Sequence, residues 1–115
     1  MDLIYKIIPD SLWRHAREIG AFEGAEADRA DGFLHFSSAA QVQATAEKYF
    51  KGRGGLVLIA VESDRLGEAL KFEPSRGGAL FPHLYGPLPL AAVLWARPIP
   101  LLPDGTHDFA CLAEP

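Results

Sequence analysis

The chain has 115 residues, of which 49% are apolar, and its formal net charge at pH 7 is −4. This length is typical of a single domain, and this apolar content excludes an intrinsically disordered protein. The eleven lysines and arginines are scattered along the sequence, which excludes an extended nucleic-acid-binding face, because such a face needs clustered positive charge.

The cysteine count and the N-terminal sequence predict a soluble, cytoplasmic protein. The single cysteine, Cys111, cannot form an internal disulfide, which is typical of a reducing compartment. Asp2 stands where a secretory signal carries positive charge, and no segment approaches the roughly 18 apolar residues that cross a membrane. We therefore expect one domain over residues 1–115, with no membrane segment.

The start of the chain is predicted to form a strand, a helix and a loop. Residues 3–8 are apolar and β-branched, as in a strand. Asp10 or Ser11 is expected to cap the helix that follows, and Gly20 to end it. Residues 21–30 are acidic, small and aperiodic, which predicts a surface loop that either closes over a pocket or simply connects two elements.

The segment Gly-Phe-Leu-His-Phe-Ser at residues 32–37 is predicted to be a strand that carries part of a site. Side chains two residues apart on a strand share a face, so Leu34 and Phe36 would face the core, and His35 and Ser37 the opposite side. That polar face needs water or polar partners, because a buried donor left unsatisfied costs about 1–3 kcal/mol. An ordinary solvent-facing strand is the alternative.

Ser38 is predicted to begin the second helix through a capping box with Gln41, in which each side chain bonds the backbone N–H of the other residue. Gly52 is expected to end this helix. Free N–H groups and the helix dipole attract anions to a helix N-terminus. We therefore expect a phosphate or carboxylate of a ligand to bind near Ser37 and Ser38.

The second half of the chain is predicted to be mainly β-structure. Strands are expected at residues 56–61, 69–73 and 91–96, and a last short strand at 106–110. In the second of these, Leu70 and Phe72 alternate with Lys71 and Glu73, as in a strand with one exposed face. With five or six strands, two helices and no strict βαβ alternation, the pattern predicts an α+β fold with a curved, mainly antiparallel sheet and the helices to one side.

The segment Phe-Pro-His-Leu-Tyr-Gly-Pro-Leu-Pro at residues 81–89 is the counterpart of the first histidine segment. Its three prolines forbid a helix and stiffen the chain, which favours a role in holding side chains in fixed positions. We expect the two segments to meet and to place His35, Ser37, His83 and Tyr85 in one polar pocket. In the alternative interpretation, His83 only bonds a backbone carbonyl and Tyr85 only packs its ring.

Glu73 and Arg76 lie just before this segment, and each side chain either reaches the same pocket or remains in solvent. The other two histidines, His15 and His107, are predicted to lie on the surface.

Recognisable catalytic and cofactor motifs are missing from the sequence. It has no compact metal-ligand spacing, no nucleophile elbow and no dinucleotide-binding fingerprint. No metal site is therefore predicted, although His35 and His83 could share an ion.

The sequence resembles the uncharacterised bacterial proteins grouped as domain of unknown function 952. The resemblance extends to about Pro100 and is carried by Ile4-Tyr5-Lys6-Ile7, Trp13, Gly32-Phe33-Leu34-His35-Phe36-Ser37, Gln41, Ala46, Phe72-Glu73 and Phe81-Pro82-His83-Leu84-Tyr85-Gly86-Pro87-Leu88. Lys6 stands where the family commonly carries histidine, a departure that weakens any role for this position.

The resemblance implies a fold like that of the ADP-ribosyltransferase superfamily, whose split, curved sheet holds NAD in a cleft in its active members. The cleft it implies here is lined by His35, Ser37, Glu73, His83 and Tyr85. By this analogy His35 binds a ribose hydroxyl, Tyr85 stacks on nicotinamide, and Glu73 supports an oxocarbenium-like transition state.

Two functions are therefore expected. The first is an enzyme that binds or processes NAD, ADP-ribose or a related phosphorylated nucleotide, with NAD as substrate. The second is a non-catalytic module that binds a small ligand in the same cleft. A purely structural role, in which the polar side chains satisfy one another, is the third interpretation.

Overall fold

The computed structural model describes residues 2–113, except for the side chains of Arg76 and Ala113. Its helices and strands follow the chain in this order: β1 (Leu3–Pro9), α1 (Asp10–Ile19), β2 (Ala21–Phe22), α2 (Glu26–Asp31), β3 (Leu34–His35), α3 (Val42–Tyr49), β4 (Leu56–Glu62), β5 (Leu70–Pro74), β6 (Leu80–Leu84), β7 (Leu88–Pro89) and β8 (Val93–Pro98). The predicted α+β class is confirmed. The element count is corrected, because this part of the chain has eight strands and three α-helices.

The strands form three antiparallel sheets, with the orders β1-β4-β8, β3-β6-β5 and β2-β7. The central strand β4 is buried on both faces, as its unbroken apolar sequence predicts. Because alternate residues face opposite sides, β4 serves two apolar clusters. Val57, Ile59 and Val61 belong to one, and Leu56, Leu58 and Ala60 to the other.

Each long helix packs one apolar stripe onto one of these clusters. Trp13 and Ala16 of α1, three residues apart, join the first cluster. Val42 and Ala46 of α3, four residues apart, join the second. Gly20 ends α1 in the left-handed conformation, with φ 86°, as predicted.

The loop predicted at residues 21–30 is wrong, because this segment contains β2 and α2. Both elements are too short to show a hydrophobic period in the sequence. A local bond holds the start of α2, where Asp28 Oδ2 accepts the N–H of Ala25 at 2.8 Å. Asp28 Oδ1 accepts further bonds from Lys6 Nζ and from the His35 backbone N–H, which lie outside this segment. The loop prediction failed because those partners lie elsewhere in the chain.

The start of α3 and two β predictions also need correction. The α3 helix begins at Val42, and only half of the expected capping box forms, with Gln41 Oε1 accepting the Ser38 N–H at 2.9 Å. Phe72 is 55% exposed, because β5 is the edge strand of its sheet. Residues 106–110 form no strand; His107 makes an isolated bridge with Leu101 instead.

Residues 34–37 join the two three-stranded sheets. In β3, Leu34 pairs with Leu84, and His35 with His83. Two residues later, Ser37 exchanges backbone hydrogen bonds of 2.7 and 2.8 Å with Tyr5 of β1. His35 therefore lies where the sheets meet.

The longest α-helix within residues 2–113 is α1, with ten residues. None of the helices described there is long and apolar enough to cross a membrane.

Candidate functional site

The two histidine segments meet as the sequence predicts. His35 and His83 are register partners on β3 and β6, and their ring centroids lie 5.7 Å apart. The ring of Phe33 packs against three other rings, with centroids 4.7 Å from His35, 4.2 Å from His83 and 5.2 Å from Tyr85. Leu34 and Phe36 are buried, which confirms the expected alternation of this segment.

His83 is fixed by Glu73 through one ring nitrogen. Its Nδ1 lies 2.8 Å from Glu73 Oε1, which also accepts the Tyr85 hydroxyl at 2.7 Å. Because a carboxylate only accepts, Nδ1 carries the proton. Among the side chains that the structure describes, none bonds the other nitrogen, Nε2, and His83 lines a cavity of about 780 Å³. Nε2 is therefore the ring nitrogen left open to a ligand, while Glu73 holds Nδ1.

The carboxylate and hydroxyl behind His83 perturb each other. The hydrogen bonds from Tyr85 and His83 hold the pKa of Glu73 below its ordinary value. The same bond to the carboxylate raises the pKa of Tyr85. Glu73 is therefore ionised near neutral pH, and Tyr85 carries its proton.

His35 has a carboxylate at each ring nitrogen. Nδ1 lies 2.7 Å from Asp28 Oδ1, and Nε2 lies 2.8 Å from Asp31 Oδ2. Since both partners are acceptors, both nitrogens donate, and the ring is an imidazolium. The bond to Asp28 is the main cause that raises the pKa of His35.

Asp28 is the buried centre of the polar cluster, with 3% of its side chain exposed. Its Oδ1 also accepts the His35 backbone N–H at 2.9 Å and Lys6 Nζ at 3.0 Å. Burial alone would raise the pKa of Asp28. The bond from His35 and the charge of Lys6 outweigh burial and hold that pKa well below its ordinary value.

Lys6 belongs to the same cluster, although its departure from the family's histidine weakens the expectation of a role. It is 8% exposed, and Nζ donates to the His35 carbonyl oxygen at 2.7 Å. Nζ also lies 5.6 Å from the ring centroid of Phe36 and 5.9 Å from that of Phe22. Burial lowers the pKa of Lys6, while Asp28 opposes that change.

The larger cavity lies between α2, α3 and the two sheets. Its wall carries acidic and basic groups together with aromatic rings: Lys6, Glu26, Asp28, Asp31, His35, Arg53, Phe36, Tyr49 and Phe81. A smaller cavity of about 300 Å³ also touches Asp28 and is lined by Phe33. No group of three or more His, Cys, Asp or Glu in the described chain could hold a metal ion.

The chain matches the family described as "Protein of unknown function (DUF952)" over residues 7–96. The chain belongs to this family. No curated protein matches this chain.

This DUF952 chain is similar to solved structures of protein CC0527 from Caulobacter crescentus. Its crystal structure is 50% identical to this chain, covers 92% of this chain and 93% of its own, and superposes with a TM-score of 0.89. Its solution NMR structure is 51% identical, covers 92% and 91%, and has a TM-score of 0.83.

The remaining residues predicted for the site of this DUF952 chain lie at different places. Ser37 is buried and lines the larger cavity, with Oγ 3.0 Å from the hydroxyl of Thr45. Ser38, Glu73 and Tyr85 do not line that cavity. The side chain of Arg76 lies outside the described part of the structure.

The two remaining histidines have opposite outcomes. His15 is exposed, as predicted. The surface prediction for His107 is wrong, since it is 7% exposed and its Nε2 donates to the Arg53 carbonyl oxygen at 2.7 Å. The C-terminal segment packs against the rest of the chain there, and this contact has no local sequence signal.

Sequence reasoning missed Lys6, Asp28, Asp31 and Phe33. Lys6 had a usable signal, because it is the single charge in an apolar strand and therefore had to be buried or paired. Phe33 had a weaker signal, as an aromatic next to His35. Asp28 and Asp31 had none that separated them from the neighbouring acids.

Proposed function

We propose that the larger cavity binds a nucleotide of the NAD or ADP-ribose class, with His83 as its acid–base group. The observation that carries the proposal is the open Nε2 of His83, whose Nδ1 is fixed on Glu73. An imidazole oriented by a carboxylate behind it is the usual arrangement of a histidine that exchanges protons with a ligand.

The dimensions and lining of the cavity support this ligand class. Its volume of about 780 Å³ lies within the roughly 300–1,000 Å³ range of small-molecule sites. Lys6, His35 and Arg53 offer positive charge for phosphates, while the rings of Tyr49 and Phe81 offer apolar contact for a base or for nicotinamide.

We extend the proposal to an ADP-ribosyltransferase-like fold and to ADP-ribosyl transfer. In that reaction the bond between ribose C1′ and the nicotinamide nitrogen breaks, nicotinamide leaves, and an acceptor oxygen forms a bond to C1′. His83 would take the proton that this oxygen loses. Glu73 would act through His83 as a positioning residue, because it does not line the cavity. Direct support of the transition state by Glu73 and stacking by Tyr85 remain predictions.

A second candidate function is a binding module without chemistry. The observation that favours it is that Asp28 and Asp31, the two carboxylates beside His35 on the cavity wall, are both bonded to that histidine. In this structure their negative charge therefore faces an imidazolium rather than a ribose. Such a module would bind the nucleotide and release it unchanged.

Titration calorimetry with NAD and ADP-ribose, together with chromatography of released nicotinamide, tests both functions. We expect wild-type protein to bind, and His83→Ala to lose turnover by roughly 10²–10⁴-fold. Glu73→Gln should lose turnover while still binding ADP-ribose, because it misorients the imidazole without removing it. His15→Ala is the matched control, since His15 is exposed and does not line the cavity.

The outcomes separate the candidates. Binding without nicotinamide release would favour the module. The absence of heat with either nucleotide at millimolar concentration would overturn both.

A further inference from the structure

The two carboxylates on His35 differ in their surroundings. Asp28 is 3% exposed and holds three further hydrogen bonds, from Lys6 and from the backbone of Ala25 and His35. Asp31 is 55% exposed, and its one hydrogen bond to a described side chain is with His35 Nε2. His35 itself is 35% exposed and lines the larger cavity. Asp28 is therefore fixed by burial and by several hydrogen bonds, whereas Asp31 can be displaced from His35 by another anion.

The exposed contact is weak, because solvent screens an ion pair whose partners both reach water. Asp31 is also the last residue of α2, and Gly32 follows in the left-handed conformation with φ 85°. Rotation of the Asp31 side chain into solvent leaves the backbone of β3 in place. The buried bond to Asp28 then keeps the His35 ring oriented and charged.

We propose that Asp31 occupies the place of a ligand phosphate, and that a phosphate oxygen of the bound nucleotide displaces it to accept the N–H of His35 Nε2. This inference rests on the proposed function and identifies the ligand group that His35 binds. A phosphate competes well with a carboxylate for this donor, since charge-assisted bonds to an imidazolium are strong and a phosphate offers several acceptor oxygens.

The neighbours of His35 suit such an exchange. Four titratable groups face it: Asp28 and Asp31 from α2, Lys6 from β1 and His83 from β6. Of these, only Asp31 is both exposed and bonded to Nε2, the ring nitrogen that Asp28 does not hold. When a phosphate replaces it, the positive charges of Lys6 and His35 remain balanced by Asp28 and the new anion.

The test compares Asp31→Asn with wild type in calorimetric titrations with ADP-ribose and with inorganic phosphate. At about pH 6 the variant should bind ADP-ribose roughly two- to fivefold more tightly, which is the factor expected from an exposed ion pair that no longer competes. Asp64→Asn is the matched control, because Asp64 is exposed and does not line the cavity. It should bind as wild type does.

The pH profile gives a readout that a structural role would not move. The bond to Asp31 helps to raise the pKa of His35. Its removal lowers that pKa, so the affinity of Asp31→Asn should fall at a lower pH than that of wild type.

The results distinguish the displacement of Asp31 from the nucleotide site itself. If wild type binds ADP-ribose and Asp31→Asn binds it no more tightly, the displacement is overturned and the nucleotide site stands. If neither protein binds ADP-ribose but Asp31→Asn binds inorganic phosphate more tightly, the displacement stands and the nucleotide is overturned. If neither probe binds to either protein, both statements are overturned.

Discussion

At the scale of single residues, the buried carboxylate of Asp28 determines much of the site. It accepts bonds from Lys6, from both the ring and the backbone of His35, and from Ala25 at the start of α2. A buried charge is tolerated only when it is paired and hydrogen-bonded, and each member of this cluster supplies part of that requirement. Removing one member therefore leaves others buried and uncompensated.

We expect Asp28→Asn to lower the free energy of unfolding by about 3–5 kcal/mol, the usual cost of breaking a buried ion pair. Lys6→Met should also destabilise, and the double variant should lose less than the sum, because the two residues share one interaction. Urea unfolding of the four proteins measures this coupling. Asp10→Asn is the control, since its pair with Arg14 is exposed on both sides and should contribute less than about 1 kcal/mol. Equal losses in the two Asp→Asn variants would contradict the prediction.

The charge on His35 predicts how stability depends on pH. Its pKa is raised in the folded protein, so its contribution is fully present below the unfolded value of about 6.5 and is lost as pH rises through the folded value. The pKa of Asp28 is depressed, so its contribution is present above about pH 4 and is lost only in stronger acid.

Urea unfolding of wild type and His35→Gln over the neutral and alkaline range checks the first of these effects. The difference in unfolding free energy should shrink as pH rises above about 6.5. His15→Gln controls for the loss of a surface histidine. A difference that stays constant or grows with pH would show that folding does not raise the pKa of His35.

At the scale of elements, the turn that precedes α2 depends on one glycine. Gly24 has φ +113°, and a Cβ built there would lie 3.1 Å from both Asp28 Cβ and Leu34 Cδ2. We expect Gly24→Ala to cost about 1–3 kcal/mol or more, because strain and close contact add. Gly54→Ala is the matched control, with no positive φ and open space around the added carbon, and should change stability by under about 1 kcal/mol. Thermal unfolding of both variants measures the difference, and equal midpoints would contradict it.

The elements that sequence reasoning located correctly carry a local signal. The strand β4 is an unbroken apolar run, and α1 combines helical spacing with a terminal glycine. In contrast, α2 exists because Asp28 bonds Lys6, 22 residues away, and the backbone of His35. The bond to Lys6 lies outside any local window of sequence, so α2 could not be predicted from its own residues.

The candidate site likewise has one part that a local sequence signal predicts and one part that depends on distant contacts. The two histidine segments were predicted to meet because each carries a period-two polar face, and they do. The order of the groups was not predictable. Glu73 bonds His83 Nδ1 and does not line the larger cavity, and its direct action on the ligand stays a prediction.

At the scale of the whole molecule, β4 makes the two apolar clusters interdependent. Its alternate residues belong to different clusters, so neither cluster can lose this strand without disrupting the other. The protein therefore should unfold in one cooperative transition, as small domains usually do.

The two tryptophans test this directly, because Trp13 lies in the first cluster and Trp95 packs against the second. In Trp13→Phe and Trp95→Phe variants, fluorescence reports one cluster at a time. We expect each fluorescence curve in urea to coincide with the circular dichroism curve of the same variant. Curves that separate in either variant would show that the clusters unfold independently.

The order β1-β4-β8 has a mechanical consequence. The outer strands both run antiparallel to β4 and hence parallel to each other, so Leu3 and Pro98 lie at opposite ends of the sheet. Tension applied between those two points acts along the strands and strains both ladders of hydrogen bonds at once, instead of opening them one by one. A molecule stretched from these points resists by shear, and its lifetime under force is set by the rate of unfolding rather than by its equilibrium stability.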